Sequence, residues 1–429
     1  MDLFSKFKKD YFNYLISIIL PSFISALSIP VFKNLLGAKG YGKFSIWFNA
    51  ILIATAILSG WIAQSIIRFF PASTNKRSFS RQAIILSLKT QGIFFVPVFI
   101  VAFYVGHDLL LALLTSLVLF ATSLQFTILP IIQSSFLSRK IILSEIIRVT
   151  TYVGGAVLLL KFSGLSYLYS LFIAVFSSYL FSLFFLIKKA LQFFKEEDFE
   201  LNTTLEKILL FKKFFKYGAP LSLWFLFSYL ISYADKLFMF KYEGAEAQGN
   251  YQAIFDLLFR GITLIISPVV TSLFPILTSA YERGNKTEIR KFIKKIIIFE
   301  ISGFTVASIL YWWFGADLLR LILKTPNTET FRLMGFIVIC GTFIWQLAIL
   351  AQKRFELKLN SFFLLAMVVI AFTIQLIFYF LFKSNNNILV YPAGFLLSAF
   401  VYLLLISFSE LISFSRSFSR KPKFINLKM

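Results

Sequence analysis

Residues 11–81 read YFNYLISIILPSFISALSIPVFKNLLGAKGYGKFSIWFNAILIATAILSGWIAQSIIRFFPASTNKRSFSR. An apolar run over 11–32 carries Pro21 and Pro30. A turn follows at Leu35-Leu36-Gly37-Ala38-Lys39-Gly40-Tyr41-Gly42, and a second apolar run covers 44–67. Arg68-Phe69-Phe70-Pro71 then leads into a basic loop. Each run is about twenty residues, enough for a helix to cross a hydrocarbon core about 30 Å thick. The stretch is a transmembrane helical hairpin, and the rest of the chain repeats it or packs around it.

Composition agrees. Of 429 residues, 58% are hydrophobic and only 15% charged, and the mean hydropathy is +0.81. Soluble domains carry about 25% charged residues, so this is an integral membrane chain. Lipid admits only helices and closed barrels, which satisfy their own backbone polar groups. Barrel strands alternate over about ten residues; these runs are long and unbroken, which makes the fold all-α. A net charge of +23 would suggest nucleic acid in a soluble protein. Spread among short loops, it fits instead the positive residues that hold loops in the cytoplasm, and no nucleic-acid partner is expected. The single cysteine, Cys340, precludes an intramolecular disulfide. The basic N-terminus resembles a secretory signal. Its apolar run is long, lacks a small-residue cleavage site and continues into the hairpin, so it reads as a retained first helix.

Hydropathy gives about twelve spans: 11–32, 44–67, 83–104, 109–131, 146–161, 164–187, 217–240, 250–272, 293–314, 331–350, 361–382 and 388–411. An even number puts both termini on one side. Lys6, Lys8, Lys9 and the basic tail assign that side to the cytoplasm, and Lys and Arg favour the loops there by about three to one. The expected organisation is a six-helix bundle over 1–187, a cytoplasmic linker over 188–216, a second bundle over 217–411 and a basic cytoplasmic tail over 412–429. Within the linker, Thr203 and Glu206 have capping-box spacing. The amphipathic segment after them suits a helix lying on the membrane surface.

The second half restates the first. Tyr217-Gly218-Ala219-Pro220 opens the seventh span as Pro21 sits early in the first. Gly244 and Gly249 have the spacing of Gly37 and Gly42, and Leu273-Phe274-Pro275 closes the eighth span as Phe69-Phe70-Pro71 closes the second. Two six-span units of the same orientation form a parallel repeat about an axis along the membrane normal, a plan many transporters share.

Charges within the spans are costly and need a reason. Asp256 and Arg260 lie four apart near the middle of span eight and share a helix face. They either line a polar cavity, with Arg260 available to an anion, or lock helices together. Arg suits bidentate phosphate contact better than Lys. Asp235-Lys236 lies toward the end of span seven; Lys236 can snorkel to the interface, but Asp235 is too short. Lys89 lies in span three and Glu300 in span nine. Glu145 and Arg148 lie at the inner end of span five, where the expected role is interface anchoring. Arg68 closes span two, either to meet a phosphate or as an ordinary positive-inside residue. Gln64, Gln125, Gln133 and Gln375 have two available partners, sugar hydroxyls or neighbouring helices.

No catalytic arrangement is recognisable. The single histidine, His107, and the single cysteine cannot make a metal cluster, and no cofactor is expected. Gly37-x-x-Gly40-x-Gly42 lacks the preceding strand and the Lys-Ser/Thr ending of a phosphate loop, and reads as a turn. The longest loop is under about thirty residues, too short for the extramembrane domain that a glycan polymerase or ligase would be expected to need. The chain is not expected to be an enzyme.

These residues carry a family resemblance. Pro30-Val31-Phe32-Lys33-Asn34-Leu35-Leu36-Gly37 followed by Tyr41-Gly42 resembles the opening motif of the Wzx-type polysaccharide flippases. These belong to the multidrug/oligosaccharidyl-lipid/polysaccharide (MOP) exporter superfamily. Gly60 through Arg68 resembles the ending of that family's second span, and Ala234-Asp235-Lys236 the Asp-basic pair closing its seventh. The family often has Arg two residues after the proline; here Lys33 stands three after Pro30. The resemblance covers essentially the whole chain.

The resemblance implies a V-shaped pair of six-helix bundles working by alternating access. The implied substrate is an oligosaccharide on undecaprenyl diphosphate, moved from the cytoplasmic to the periplasmic leaflet of the bacterial inner membrane for O-antigen or capsule synthesis. A cationic cavity would replace the water shell of the diphosphate. The candidate substrate-binding residues are Arg260, Arg68, Lys89 and Lys33. Asp235, Asp256 and Glu300 are the candidates for proton or sodium coupling, or for gating. Membrane lipids and the polysaccharide polymerase machinery are the implied partners. A drug/cation antiporter of the same superfamily is the alternative, and it would need an acidic rather than a basic cavity.

Overall fold

The computed structural model describes residues 3–70, 73, 76–135, 137–192, 204–282, 286–326, 328–357, 360–382 and 387–414. Ten helices run through them. The first five are α1 (Leu3–Phe69), α2 (Lys76–Gly106), α3 (Leu109–Ser134), α4 (Ser138–Phe162) and α5 (Tyr167–Gln192). The second five are α6 (Thr204–Glu282), α7 (Lys286–Leu323), α8 (Glu329–Leu357), α9 (Ser361–Phe382) and α10 (Val390–Phe414).

Ten helices make twelve crossings because α1 and α6 are each two. The apolar stretch Leu210–Ile266 has 57 residues. As one straight helix it would be about 85 Å long, almost three times the ~30 Å hydrocarbon core. It breaks at Gly244 (φ 88°, ψ 175°), as α1 breaks at Gly37 (φ 68°, ψ 169°). That backbone region is essentially restricted to glycine. Equivalent glycines thus fold both halves of the chain into hairpins, and the sequence repeat becomes a structural one.

Two boundaries differ from those read in the sequence. The fifth crossing starts at Ser138, not near 146, so Glu145 and Arg148 lie about two turns inside α4. The amphipathic segment after Thr204 runs without a break into the seventh crossing. Its Phe214 is fully buried among Ile66, Phe70 and Phe79, while Phe211 and Phe215 on the other side are exposed. Thr203 falls outside the described residues.

Helices α1–α5 pack on one another, as do α6–α10, and the two groups meet chiefly where α1 lies along α6. At the end of the interface marked by Gly37 and Gly244 the two turns interlock. A Cβ on Gly42 would strike the carbonyl oxygen of Ala245, and a Cβ on Gly249 the carbonyl oxygen of Ala38. Each glycine stands five residues after its helix break and meets the residue just after the other break, the reciprocity of a pseudo-two-fold axis. Toward the opposite end, hydroxyl groups of one segment bond the other's backbone. Tyr233 Oη donates to the Ile46 carbonyl (2.8 Å), Ser222 Oγ to that of Ala56 (2.6 Å) and Ser65 Oγ to that of Phe214 (3.0 Å). Without water to compete, such bonds join helices that no hydrophobic effect would hold together in lipid.

The outward faces are apolar: Ile93 and Val101 on α2 and Trp313 and Leu321 on α7 are exposed, as expected where the solvent is hydrocarbon. In the connection before α3, Asp108 caps that helix by accepting the Leu111 amide (3.0 Å), and it also accepts the Tyr169 hydroxyl. The Tyr169 bond, then the backbone bond, hold its carboxyl below the usual carboxylate range.

The interlocked turns make a direct prediction. Gly249→Ala should lower the thermal unfolding temperature of the detergent-purified protein, because neither backbone can retreat without parting the halves. Gly92→Ala on α2, where a Cβ meets nothing within 4 Å, should leave it unchanged or raise stability by about 0.5–1 kcal/mol through better helix propensity.

Candidate functional site

A cavity of about 210 Å³ lies between the halves. Segments on both sides of the Gly37 break supply its walls, Ser28 and Phe32 before it and Tyr41, Ser45 and Asn49 after it. α4 adds Arg148 and Tyr152, α5 adds Ser178 and Tyr179, and the segment of α6 after Gly244 adds Gln252, Asp256 and Arg260. These last three follow the four-residue spacing that lines up one helix face.

The polar groups are held in place across the interface. Tyr41 Oη donates to Asp256 Oδ2 (2.9 Å), and Gln248 Nε2 to Ser45 Oγ (3.2 Å). Arg148 donates to Glu145 Oε2 from both Nε (3.0 Å) and Nη2 (2.7 Å). Glu145 in turn accepts from Gln125 Nε2 (2.8 Å), which also reaches Ser182 Oγ (3.2 Å). The Arg148 guanidinium carbon lies 5.3 Å from the centroid of the Tyr179 ring, a cation–π arrangement. Phe32 and Tyr152 pack with centroids 4.9 Å apart.

Two arginines, one from each half, therefore face a chamber lined also by Asp256, aromatic rings, small polar groups and a few aliphatic side chains. Arginine stays charged and presents a planar fork that suits carboxylate or phosphate oxygens. The rings offer apolar faces with a polar tip. The volume is below the ~300–1,000 Å³ of sites that enclose a drug-sized ligand. In this state the cavity admits an anionic head the size of a phosphate or diphosphate and excludes an oligosaccharide.

Of the residues singled out in the sequence, Arg260 and Asp256 line the cavity. Lys33 is buried beside it but points elsewhere: its Nζ donates to the carbonyl of Leu323, the last residue of α7. Asn34 Nδ2 donates to Ile322 O (3.4 Å). Together they cap the negative end of that helix dipole. Arg68, in the last turn of α1, and Lys89, on α2, are exposed and are not among the lining residues.

Asp235 is fully buried and accepts from the Lys236 amide (2.8 Å), Lys236 Nζ (3.2 Å) and the Tyr251 hydroxyl. Lys236 is 1% exposed and does not snorkel. Its Nζ lies 3.3 Å from the centroid of the Phe255 ring and also donates to the Ser232 carbonyl. A partner on the adjacent residue and an aromatic face on the next crossing make burial cheaper than a reach to the interface. Glu300 on α7 is buried, and neither of its oxygens has a hydrogen-bond partner among the described residues.

Arg148 corrects the reading of the sequence: it lines the cavity rather than anchoring an interface. The polar start of α4 depressed the hydropathy there and moved the apparent boundary inward. The signal that could have found it is Glu145 three residues earlier, a spacing that puts both groups on one helix face. Tyr41 belongs to the opening motif, but nothing in the sequence distinguishes Tyr152 and Tyr179 from the other tyrosines among the 18. Gln125 and Gln375 bond neighbouring helices, the latter through the Ile231 carbonyl (2.9 Å), and Gln375 also donates to Tyr379 on its own helix (2.9 Å).

The sequence profile described as "Polysaccharide biosynthesis protein" matches residues 7–281, more than half of the chain. The chain belongs to that family. It is a flippase family of the MOP superfamily. No curated protein matches the sequence.

Solved structures agree on the fold. An inward-facing multidrug-resistance MATE transporter of the MOP superfamily is similar at 14% identity and TM-score 0.69, with 94% of each chain covered. An outward-facing one gives 13% and 0.71, covering 95% of this chain and 96% of that one. A MOP superfamily transporter from Pyrococcus furiosus Vc1 (DSM3638), whose binding pocket has reverse polarity, gives 13% and 0.69 with the same coverage. MATE transporters have twelve crossings in two repeats, the arrangement that the broken helices α1 and α6 produce here.

The Arg148–Glu145 pair can be tested apart from any transport assay. Glu145→Ala leaves a guanidinium without its carboxylate and should cost about 2–3 kcal/mol. That is the low end of the cost of breaking a buried pair, because the two side chains keep 22% and 14% exposure. Replacing both together (Glu145→Leu with Arg148→Met) should restore most of the unfolding temperature, measured in detergent by intrinsic fluorescence.

Proposed function

We propose that this family member is a flippase for undecaprenyl-diphosphate-linked oligosaccharide repeat units. It would carry them from the cytoplasmic to the periplasmic leaflet of the inner membrane, for O-antigen or capsule synthesis, by alternating access. The observation that carries the reading is the placing of Arg148 and Arg260, from opposite halves, on one cavity between them. A diphosphate loses its water shell when it leaves the aqueous phase. Two guanidinium groups aimed from two rigid bodies can replace that shell and follow the halves as they move. The aromatic walls suit the apolar faces of sugar rings. The volume of about 210 Å³ requires that the halves part before the glycan enters.

The membership of a polysaccharide biosynthesis family supports the same substrate class. In the drug/cation antiporter reading the pocket would be acidic. Here Asp256 is the one carboxylate among the lining residues, and it accepts a bond from Tyr41. In the proposed orientation both termini are cytoplasmic, and the polymerase machinery takes the product on the far side.

For coupling to a proton or sodium gradient, Glu300 is the strongest of the three acidic candidates. Asp235 is committed to Lys236 and Tyr251, and Asp256 to Tyr41. Glu300 is buried with both oxygens unbonded among the described residues, and a carboxylate so placed is stable only with a proton or a cation. The exposed Arg68 would meet the incoming headgroup at the membrane surface. The bonds of Lys33 and Asn34 to the end of α7 would close the periplasmic side.

Arg260→Ala should abolish complementation of a flippase-deficient strain while leaving the protein folded and inserted. Wild-type complementation by a stably expressed Arg260→Ala protein would refute the assignment. Glu300→Gln should leave binding of the lipid-linked donor intact in proteoliposomes but make transport insensitive to an imposed proton or sodium gradient.

A further inference from the structure

A second, larger space lies on the opposite face of the same helix. Between Tyr41 and Ala54, α1 turns Tyr41, Ser45 and Asn49 toward the arginine cavity. It turns Lys43, Trp47, Ala50 and Ala54 toward a groove of about 750 Å³. α2 and α3 form the other walls, and Tyr233, Leu237 and Phe240 of α6 close the groove from the second half.

The sequence builds this space. Pro97 sits inside α2, where it removes a backbone donor and bends the helix, and it faces the groove. Ala50, Ala54, Ala102 and Gly106 leave both walls without bulk. The neighbouring face of α2 is exposed and apolar, with Val101 62% and Val105 64% accessible, so the groove borders lipid.

Its chemistry is asymmetric. The Tyr233 hydroxyl is already donated to the Ile46 carbonyl (2.8 Å). The one charged residue among the lining is Lys43, exposed at the mouth next to the interlocked turns. From Lys43 to Ala54 the wall runs about 16 Å at 1.5 Å per residue, close to half of the ~30 Å hydrocarbon core. A ligand that fits has an apolar chain one leaflet long and a negative group at one end.

We propose that this groove is a binding site for an anionic membrane phospholipid, its phosphate on Lys43 and an acyl chain against Trp47 and Ala54. An isoprenoid carrier is disfavoured because its chain exceeds the length of one leaflet. The site is separate from the arginine cavity and does not depend on what that cavity carries. Because its walls come from both halves, the bound lipid wedges between them and favours the state described here.

The test uses the full-length protein in nanodiscs of phosphatidylethanolamine and phosphatidylglycerol, with one of the two carrying brominated chains. The contribution of Trp47 is the difference in fluorescence quenching between the wild type and Trp47→Phe. Brominated phosphatidylglycerol should occupy the groove about fivefold more readily than brominated phosphatidylethanolamine, the discrimination one lysine near an anionic lipid supplies. Lys43→Gln, a surface change that spares the fold, should abolish the preference, and raised salt should weaken it.

Equal quenching by the two lipids in the wild type overturns the proposal. So does a preference that survives Lys43→Gln. Relief of quenching by unbrominated undecaprenyl phosphate at lower mole fraction than by unbrominated phosphatidylglycerol would also overturn it, by giving the groove to the carrier lipid. None of these outcomes bears on transport through the arginine cavity.

Discussion

Backbone meets backbone where the two hairpin turns interlock, Gly42 on the Ala245 carbonyl and Gly249 on that of Ala38. In a bilayer two helical bundles gain nothing from hiding apolar surface, since lipid is as apolar as they are. Their association depends on close approach and on polar bonds. The turns provide one close approach in the interface, and Gly218 on the Trp61 carbonyl provides another toward the opposite end. Tyr41, one residue before Gly42, is carried within reach of Asp256, and Gln248, one residue before Gly249, within reach of Ser45. The cavity lies directly beneath this contact because the same residues that fix the turns begin the cavity wall.

The buried charges obey the same economy. Each of the pairs Asp235–Lys236 and Glu145–Arg148 is nearly adjacent in sequence, so the partners reach each other without any movement of helices. Such partners stay within reach of each other however the halves are disposed. Asp256 differs, because its donor Tyr41 comes from the other half. A bond of that kind breaks when the halves part, and the carboxylate must then find water or a cation. Within this structure the polar groups whose bonds cross the interface are the ones that sense the position of the halves. Glu300 is buried without a hydrogen-bond partner among the described residues, so no such bond ties it to the position of the halves.

Much of the architecture was legible because it is written in length and in glycine. Runs of about twenty apolar residues show the crossings, and the matched Gly37/Gly42 and Gly244/Gly249 spacings show the repeat before any coordinate is known. The site was legible only in part. Arg260 and Asp256 stand out because they are charged in mid-span. Arg148 does not: its polar neighbours lowered the local hydropathy, and a hydropathy window cannot tell a loop from a helix start whose charges neutralise one another. Lys236 was misread for a related reason. Snorkelling is the default for a lone lysine, and only the structure shows that the Phe255 ring and the Asp235 carboxylate meet it first. Tyr152 and Tyr179 of the cavity are invisible in a chain so rich in aromatic residues.

The segment after Gly42 shows why composition alone understates the design. It is one uninterrupted apolar run, yet its two faces serve different solvents. Ser45 and Asn49 look into a chamber with two arginines, while Trp47, Ala50 and Ala54 look onto hydrocarbon. The contrast is between hydroxyl or amide and alkyl groups rather than between charge and none, so an amphipathicity scan tuned to charged faces passes over it. A wall one helix thick then separates a polar compartment, holding two arginines and Asp256, from an apolar one, with a single turn, Gly42-Lys43-Phe44, at the rim of both. Any change in the tilt of this helix alters both compartments together, because the side chains on its two faces share one rigid backbone.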